Sequence, residues 1–591
     1  MIQTDKILFI PSLRKGNGTG HLKRCLDWGE TFKTMHIFIL QNNDEELLDY
    51  KNHPLCSRRD NIQWHEDPGT DWELIILDNR SSDSIPDSLQ GIALIAIDES
   101  GKIREHASYV MDTLPALTKQ MINSDGYRFL KRNYNPVCPD SLERILISFG
   151  GEDSSDLAGR ALTALNTDEI SSFIITSGIK IDLIIPSASH ETPQIYTDNI
   201  RVLPYVAELS EKLCDYDLII CQYGMTAFEA LSCSRFVFLL NPGNYHDQLC
   251  MAAGIPYHPG AAALDPDQLT ALMLKILKAD SESMESRLKE HSPLWKQYSQ
   301  KSENIQSWLC SLNISPDICP ICGSSSRKAL ARFEEKSYFQ CVDCSMKYMV
   351  QFRIKEDIYS KEYFFSEYKN QYGKTYIQDF PHIQEMAEKR LKQIKKLNPV
   401  KGKLLDIGCA YGPFLQTASE KGYEAKGLEI SEDAVKYIKD NFENIDAQQG
   451  DLNLKETRDL FYDKEFQIIT LWYVIEHFSS LSEILPYLAS RLEKGGVLAM
   501  ATPYASGVSG RYNADSFYSK SPEDHYTLWD RKSAVESLKR AGFSRIRFVS
   551  TGHHPERFSP KIKKMIPPQM LLLISRLMGW GDTFEIYAQK G

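Results

Sequence analysis

The sequence lacks any apolar run of about 20 residues, the length that a helix needs to cross a membrane. Residues 1–9 already have the apolar pattern of a strand, so we expect no signal peptide. A shorter apolar stretch, residues 570–578, follows Lys561, Lys563 and Lys564; weak peripheral contact with a membrane is one interpretation, and a buried helix is the favoured one. These features predict a cytoplasmic protein with no transmembrane segment.

Basic residues are outnumbered by acidic ones: the chain has 68 Lys and Arg residues against 79 Asp and Glu residues, and its net charge is −11. Nucleic-acid-binding proteins carry a basic surface, so we expect no nucleic acid as the main partner. The 13 cysteines are an odd number and most are scattered, which fits a reducing compartment. A length of 591 residues exceeds one hydrophobic core and predicts two or three domains, whereas the oligomeric state stays unknown.

Residues 1–312 alternate apolar runs with helical spacers. The runs are ILFIPS, HIFILQ, ELIILD, ALIAID, RILISFG, FIITSG, IDLIIPS, DLIICQ and FVFLL. This rhythm is typical of strands and helices in parallel α/β sheets, and its length suits two doubly wound lobes. In such folds ligands bind at the carboxyl ends of the strands, here in the crevice between the lobes.

The first of three strand ends with candidate chemistry is the glycine-rich stretch 16–25, which includes Gly20 and opens a helix whose first turn carries His21 and Arg24. Backbone amides at a helix start attract phosphate. A histidine there can act as a general base towards a water or hydroxyl within hydrogen-bond reach. A structural histidine that caps the loop is the alternative.

The second strand end, residues 148–155, has small residues including Gly150 and Gly151 before the next helix. It suits a diphosphate, although an ordinary turn and helix cap would have the same composition.

At the third strand end, Gly224 and Thr226 can contact a phosphate, and Glu229 can accept ribose hydroxyls about one helical turn later. Alone this could be an ordinary helix start; the three stretches together favour a nucleotide ligand.

The motifs GTGHLKRC, LIILDNR, ISFGGEDSSDLAGRAL and GMTAFEAL resemble GT-B-type nucleotide-sugar enzymes, above all the UDP-2,4-diacetamido-2,4,6-trideoxy-hexose hydrolases of pseudaminic acid biosynthesis. The resemblance implies that His21 activates water at the anomeric carbon and that UDP leaves without a metal. It also implies that Gly224, Thr226 and Glu229 hold UDP and that Gln248 faces the sugar.

One departure from the hydrolases concerns His246, Asp247 and Gln248, where that family usually has Asn-Gln. Asp-Gln is common in the UDP-sugar glycosyltransferases related to them. A hydrolase and an inverting glycosyltransferase therefore both remain open, since they differ in whether water or a sugar hydroxyl attacks.

Two CxxC pairs follow the first domain: Cys319 with Cys322, and Cys341 with Cys344. This spacing predicts four thiolates around a structural Zn²⁺ in a small ribbon, residues 316–350. Four cysteines leave no open position, which argues against a catalytic metal, and a disulfide fits a cytoplasmic chain poorly.

The stretch 403–412 reads as a strand that ends in an acid and enters a tight loop with small residues at Gly408, Ala410 and Gly412. The glycines allow the backbone to approach a ligand closely. Further on, Glu429 lies near the end of a second strand, where a carboxylate can accept both hydroxyls of a ribose.

LLDIGCAYG, GLEIS, YVIEHF, GGVLAMATP and PEDHYTLWDRKSAVESLKRAGF resemble a class I S-adenosylmethionine (SAM) methyltransferase, which we assign to residues 351–591. The resemblance implies a Rossmann-like fold in which Asp406 and the loop glycines hold the methionine part of SAM. Glu429 would hold the ribose and Asp451 the adenine edge. The loop spacing, glycine-x-alanine-x-glycine, favours SAM over NAD.

Glu476 and His477 follow the strand-like run 466–475, and His525 lies in the PEDHYTLW segment. Methyl transfer to a hydroxyl needs an aligned nucleophile and a group that removes its proton, so both histidines are candidate bases. The alternative, by the same resemblance, is that the Glu-His pair shapes the SAM pocket.

The sequence as a whole predicts a bifunctional enzyme: a UDP-sugar hydrolase fused to a SAM-dependent methyltransferase that acts on a related sugar or glycan precursor. The first alternative replaces the hydrolase by a glycosyltransferase. A less favoured one is an RNA or other small-molecule methyltransferase with a non-catalytic nucleotide-sugar-binding module.

Overall fold

The structure is a computed structural model. It describes residues 3–14, 19–40, 47, 49–50, 53–57, 59–115, 121–129, 139–150, 153, 155–185, 195, 197–204, 206, 208–279, 303–313, 317–353, 373–459 and 465–591. The chain divides into two compact units, Met1–Pro316 and Asp317–Gly591. The predicted ribbon therefore lies in the same unit as the C-terminal sheet.

The first unit contains two parallel sheets. The first has the spatial order β3-β2-β1-β4-β5-β6-β7. Its strands are β1 (Ile7–Pro11), β2 (Met35–Phe38), β3 (Ile62–His65), β4 (Leu74–Asp78), β5 (Ala93–Ile97), β6 (Tyr109–Asp112) and β7 (Ser124–Asp125). Every residue of β1, β4 and β5 is buried, as expected of strands covered on both faces.

The second sheet has the order β10-β9-β8-β11-β12-β13. Its strands are β8 (Arg144–Ser148), β9 (Lys180–Ile184), β10 (Ile200–Leu203), β11 (Leu218–Cys221), β12 (Phe236–Leu240) and β13 (Tyr257–His258). The described helices of the first unit are α1 (Gly20–Trp28), α2 (Ile103–His106), α3 (Leu157–Leu165), α4 (Asp168–Ser177), α5 (Leu209–Lys212), α6 (Met225–Ser232), α7 (Asn244–Ala253), α8 (Pro266–Leu277) and α9 (Ile305–Ser311).

The strand order reverses between β1 and β4 in one sheet and between β8 and β11 in the other. These are the switch points at which doubly wound sheets bind ligands. The predicted parallel α/β rhythm is confirmed, with one exception. The run FIITSG lies in helix α4, where Ile170 and Ile174 are buried at helical spacing and Gly178 ends the helix in the left-handed region.

The second unit contains a four-stranded antiparallel sheet of order β14-β15-β16-β22. Its strands are β14 (Arg327–Arg332), β15 (Lys336–Cys341), β16 (Lys347–Gln351) and β22 (Thr527–Leu528). The first three belong to the cysteine-rich segment, whereas β22 comes from far along the chain. The cysteine-rich segment thus shares its sheet with the C-terminal domain.

The other sheet of this unit has the order β19-β18-β17-β20-β21-β24-β23. Its strands are β17 (Lys403–Ile407), β18 (Glu424–Glu429), β19 (Asp446–Gln449), β20 (Phe466–Trp472), β21 (Leu492–Pro503), β23 (Phe543–Thr551) and β24 (Thr583–Lys590). Strand β24 runs antiparallel to both of its neighbours. The strand order reverses between β17 and β20, so the carboxyl ends of these two strands are the expected ligand site.

In the described part of the second unit the helices are α10 (Phe380–Lys395), α11 (Pro413–Glu420), α12 (Glu432–Asn441), α13 (Lys455–Asp459), α14 (Leu481–Arg491), α15 (Val508–Tyr512), α16 (Ala514–Lys520), α17 (Arg531–Arg540), α18 (Pro560–Met565) and α19 (Pro568–Met578).

Helix α19 contradicts the expected buried helix, because Leu571 and Ser575 are its only buried residues. Leu577 is 77% exposed, and the neighbouring Met565 is 83% exposed. An amphipathic repeat shows that one face is apolar, but it does not show whether the protein itself covers that face. Across the described residues, no helix is long and apolar enough to cross a membrane.

Candidate functional site

The loop after β17 curls through three left-handed residues: Gly408 with φ of 70°, Ala410 with 47° and Gly412 with 82°. A Cβ on Gly408 would lie 2.4 Å from a methyl carbon of Val474, so only glycine fits there. Left-handed alternate residues turn successive backbone amides towards one side, which forms a concave site for a ligand.

Asp406 lies at the buried end of β17 and accepts a hydrogen bond of 2.5 Å from Thr470 Oγ1 on β20. Burial raises the pKa of its carboxyl to about 7, although the bond from Thr470 opposes the shift. A carboxyl held in this state gains from a cationic ligand group that restores its ionised form.

Glu429 ends β18 and accepts backbone hydrogen bonds from Ala410 (2.8 Å) and Ser431 (3.0 Å). Burial raises its pKa. The carboxylate ties the left-handed loop to the neighbouring strand, and each of its oxygens keeps a lone pair for another donor. Asp451 follows β19, where its Oδ1 accepts from the backbone N–H of Asn453 at 2.9 Å. Since β17, β18 and β19 are adjacent and parallel, their acids share one edge of the sheet.

Glu476 and His477 lie in a short 3₁₀ helix, Ile475–His477, after β20 at the same edge. His477 Nδ1 lies 3.1 Å from both the backbone oxygen and Oδ2 of Asp524. The His477 and His525 rings pack edge-on, with centroids 4.8 Å apart. The structure therefore brings together the three residues that the sequence named separately, and it adds Asp524.

The charges in this cluster differ from residue to residue. Burial would lower the pKa of His477, but the hydrogen bond to Asp524 and the charge of Glu476 raise it overall. Burial and the neighbouring His477 lower the pKa of His525 to about 3. Burial raises the pKa of Glu476 to about 7. One histidine is thus a strengthened base, and the other stays neutral.

Strand β22 holds His525 in place, because Tyr348↔Thr527 and Lys347↔Leu528 pair it with β16 of the cysteine-rich segment. The backbone N–H of Met349 also donates to the Tyr526 carbonyl at 2.9 Å. No local pattern in the sequence predicts this pairing.

Two residues of this site were missed from sequence. Asp524 was visible as the acid next to the histidine in PEDHYTLW. Tyr473 adopts a left-handed φ of 62°, which is uncommon for a bulky residue and marks the turn between β20 and Glu476. No local sequence pattern announces that conformation.

The four cysteines of the two CxxC pairs form one cluster. Cys319 Sγ lies 3.5 Å from Cys344 Sγ, and Cys322 Sγ lies 3.6 Å from Cys341 Sγ. All four sulfur atoms lie within 4.8 Å of one another. Zn–S bonds of about 2.3 Å in a tetrahedron place sulfur atoms about 3.8 Å apart, so the geometry suits that ion.

In the first unit, His21 and Arg24 of helix α1 converge on Asp78 at the end of β4. His21 Nδ1 lies 2.6 Å from Asp78 Oδ1, and Arg24 Nε donates to Asp78 Oδ2 at 2.6 Å. Arg24 also pairs with Asp98 at 2.8 Å. Burial alone would raise the pKa of Asp78, but Arg24 and His21 lower it. Asp78 therefore stays ionised and orients the imidazole through Nδ1, leaving Nε2 for another partner.

Asp78 and Asp98 were absent from the sequence prediction. The acid at the end of LIILDNR was a visible signal for Asp78, because it ends a buried strand at a switch point.

The second lobe of this unit supplies the remaining predicted residues. Gly150, with φ of 84°, follows β8, whereas Gly151 lies outside the described residues. Gly224 precedes α6, which carries Thr226 and the buried Glu229. Lys23 Nζ of α1 lies 3.9 Å from Glu229 Oε1. This ion pair places helix α1 of one lobe, which also carries His21 and Arg24, beside helix α6 of the other.

Gln248 is exposed on α7, and the adjacent Asp247 is buried. The Asp247 carboxylate accepts from Asn241 Nδ2 at 2.9 Å and from the Gly260 N–H at 2.8 Å. Asp247 therefore holds the start of α7 in place, and Gln248 is the member of the pair that faces outwards.

Comparison with known proteins gives a family match within the second unit and several similar proteins. A family model described as a methyltransferase domain matches residues 380–547. A ubiquinone biosynthesis O-methyltransferase of Coxiella burnetii (strain RSA 331 / Henzerling II) is 30% identical in an alignment of 178 residues, with 28% of this chain and 74% of the relative covered.

Solved structures also resemble the chain. A SAM-dependent methyltransferase from Archaeoglobus fulgidus is 18% identical, with 38% of this chain and 100% of that chain covered and a TM-score of 0.29. Another from Mesorhizobium loti is 13% identical, with 34% and 96% covered and a TM-score of 0.25.

Proposed function

Because the chain belongs, through residues 380–547, to the class I SAM-dependent methyltransferases, we propose that its second unit methylates a hydroxyl oxygen of a sugar or glycan precursor. The observation that carries the proposal is the sheet edge where the Asp406 loop, Glu429 and Asp451 follow three neighbouring parallel strands. The relative's name as an O-methyltransferase supports oxygen as the acceptor atom. A sugar acceptor rests on the resemblance of the first unit to nucleotide-sugar enzymes.

SAM would supply an electrophilic methyl group on a sulfonium centre. Asp406 and the left-handed loop would hold its cationic methionine part, because the buried carboxyl gains from a positive neighbour. Glu429 would accept the ribose hydroxyls through its remaining lone pairs, and Asp451 would accept from the adenine edge. Glu476 would close the pocket beside the loop.

His477 is the group proposed to take the acceptor proton. Asp524 holds its Nδ1, so Nε2 can face the acceptor, and its raised pKa makes it the stronger base. His525, with its pKa lowered to about 3, is a weak base and is better suited to position the acceptor.

The test of the donor site is calorimetric titration with SAM. We expect Asp406→Asn and Glu429→Gln to weaken binding by about tenfold or more, since each removes an ionised partner worth about 1.4 kcal/mol. Glu432→Gln, an exposed acid on α12, is the matched control. Unchanged affinity in both site variants would refute the assignment.

The acceptor class is tested with labelled SAM, offered with free 2,4-diacetamido-2,4,6-trideoxy-hexose and with total RNA. Label in the sugar, lost in His477→Ala, supports the proposal. Label in RNA would establish the alternative instead.

We further propose that Cys319, Cys322, Cys341 and Cys344 hold a structural Zn²⁺, which the sulfur spacing supports. The ion would fix a small sheet whose β16 strand carries β22 and hence His525.

For the first unit we propose a GT-B-type UDP-sugar hydrolase, with an inverting glycosyltransferase as the alternative. The support is His21, which a buried carboxylate orients, and Lys23 on the same helix, which pairs with Glu229 of the other lobe. His21 would deprotonate the attacking water, and UDP would leave with the glycosidic electron pair. That both units serve one pathway is an inference from their fusion alone.

The test is UDP release from UDP-2,4-diacetamido-2,4,6-trideoxy-hexose without an acceptor. Release that His21→Ala lowers by about 10²–10⁴-fold supports the hydrolase. His106→Ala, an exposed histidine of the same unit, is the control and should retain the rate. Release only when a sugar acceptor is added would identify a glycosyltransferase.

A further inference from the structure

The cluster of Glu476, His477 and His525 has the composition of a metal site. One ligand atom from each residue lies within 4.8 Å of the other two. The residues come from two separate elements, the 3₁₀ helix after β20 and the loop before β22. Two imidazoles and one carboxylate are a recurring ligand set for divalent transition metals, in which the remaining positions stay open.

Glu476 gives an independent reason to expect a cation. It is 1% exposed, and within the described part of the chain its Oε2 has no hydrogen-bond partner. A carboxylate oxygen this deeply buried normally contacts a donor, a water or an ion.

Asp524 positions His477 in the manner usual for metal-binding histidines. Its carboxylate and backbone oxygen both lie 3.1 Å from His477 Nδ1, which leaves Nε2 to act as a ligand. Carboxylates that hold the second nitrogen of a ligating histidine fix its ring and raise its basicity. The pairing of β22 with β16 fixes the backbone next to His525.

We propose that Glu476, His477 and His525 bind a divalent transition-metal ion, whose open positions take two neighbouring oxygen atoms of the methyl acceptor, as in a vicinal diol or a hydroxy acid. This deepens the proposed methyltransferase function and rests on it. The bound hydroxyl would lose its proton to water. Its oxygen would then bond to the methyl carbon while the sulfur keeps the electrons of the broken bond. As a metal ligand, His477 would not take the acceptor proton itself. The role of His477 as the base, described under the proposed function, is therefore the competing one.

Mn²⁺ is a probe that distinguishes this site from the cysteine cluster, because the ion prefers carboxylate and imidazole ligands to thiolates. The experiment is a titration of the full, zinc-loaded chain with Mn²⁺, with free Mn²⁺ followed by electron paramagnetic resonance. We expect one site per chain. Glu476→Gln and His525→Ala should each weaken it by about tenfold or more, and Asp524→Asn by less.

The matched controls are Glu483→Gln and His382→Ala, which change exposed residues of the same unit. Both variants should bind Mn²⁺ as tightly as the unmodified chain does. SAM titration of every variant shows whether the donor site is intact, so loss of the methyltransferase fold is distinguished from loss of the metal site. Absence of Mn²⁺ binding in the unmodified chain would overturn the proposal. Unchanged Mn²⁺ affinity in both ligand variants would also overturn it and leave His477 as the base.

Discussion

The two units each hold a histidine whose Nδ1 faces an aspartate, yet the surroundings of the two pairs differ. In the first unit, Asp78 accepts from both His21 and Arg24, and Arg24 lowers the pKa of the carboxyl. In the second, His477 faces Asp524, while the neighbouring Glu476 has its pKa raised to about 7 by burial. An arginine thus lies beside the aspartate of the first pair, whereas a second carboxyl group lies beside the other pair.

This difference shows what each site needs from a ligand. An aspartate already neutralised by arginine can fix a histidine permanently, so the first site is ready for a neutral or anionic substrate. Burial would raise the pKa of Asp524, but the bond from His477 lowers it overall. Burial raises the pKa of Glu476 to about 7, so Glu476 is the acid of the second site that gains from an added positive charge. A cationic methyl donor or a metal ion would supply it.

The largest expected effect compares the two aspartates. Asp78→Asn should lower the stability of the first unit by about 3–5 kcal/mol, because it leaves the buried Arg24 with too little counter-charge. Asp524→Asn should lower that of the second unit by only about 1–2 kcal/mol, the cost of one weakened hydrogen bond. Hydrogen exchange read on peptides of β4 and β22 separates the units. Equal losses of stability in the two units would contradict the predicted difference between the two aspartates.

The next effect concerns the cysteine cluster, which supports the second site and has no counterpart among the described residues of the first unit. Cys322→Ser should release the β16–β22 pairing and lower methyl transfer by about 10²-fold, since small displacements of positioning groups cost that much. SAM affinity and UDP release should change little. Cys310→Ser, an exposed cysteine of the first unit, is the control. A parallel loss of SAM binding would show that the cluster supports the donor site as well.

The features that could be predicted from sequence depend on residues that lie close together along the chain. Gly408, Ala410 and Gly412 lie within five residues of one another, and each CxxC pair spans four, so composition and spacing identified both features. Asp78 lies 57 residues from His21, and the Asp524 carbonyl lies 47 residues from His477, so only folding reveals those pairs. The β16–β22 pairing was hidden for the same reason. The run FIITSG misled because β-branched residues at helical spacing can form either a strand or a helix.

A third effect is a pH dependence confined to the second unit. Burial raises the pKa of Asp406 to about 7, so stability gained from burying the protonated carboxyl is complete at acidic pH and is lost as pH rises through about 7. A cationic ligand favours the ionised form. SAM should therefore bind about tenfold more tightly at pH 8 than at pH 6. Calorimetry at both pH values measures this, and Asp406→Asn should flatten the profile. A steep profile in that variant would assign the dependence to another group, such as Glu476.

The smallest effect contrasts the surfaces of the units. Exposed large apolar residues are scattered in the first unit, whereas Met565, Met570, Leu573, Leu577 and Met578 crowd into α18 and α19 of the second. Lys561, Lys563 and Lys564 lie beside them. We expect this basic, apolar surface to bind anionic lipid vesicles weakly, with Leu577→Glu reducing the bound fraction about threefold to fivefold. Ile175→Glu, at a 60% exposed site of the first unit, is the matched control in the sedimentation assay. Equal binding by both variants would show that the crowding of apolar residues in α18 and α19 has no consequence at a membrane.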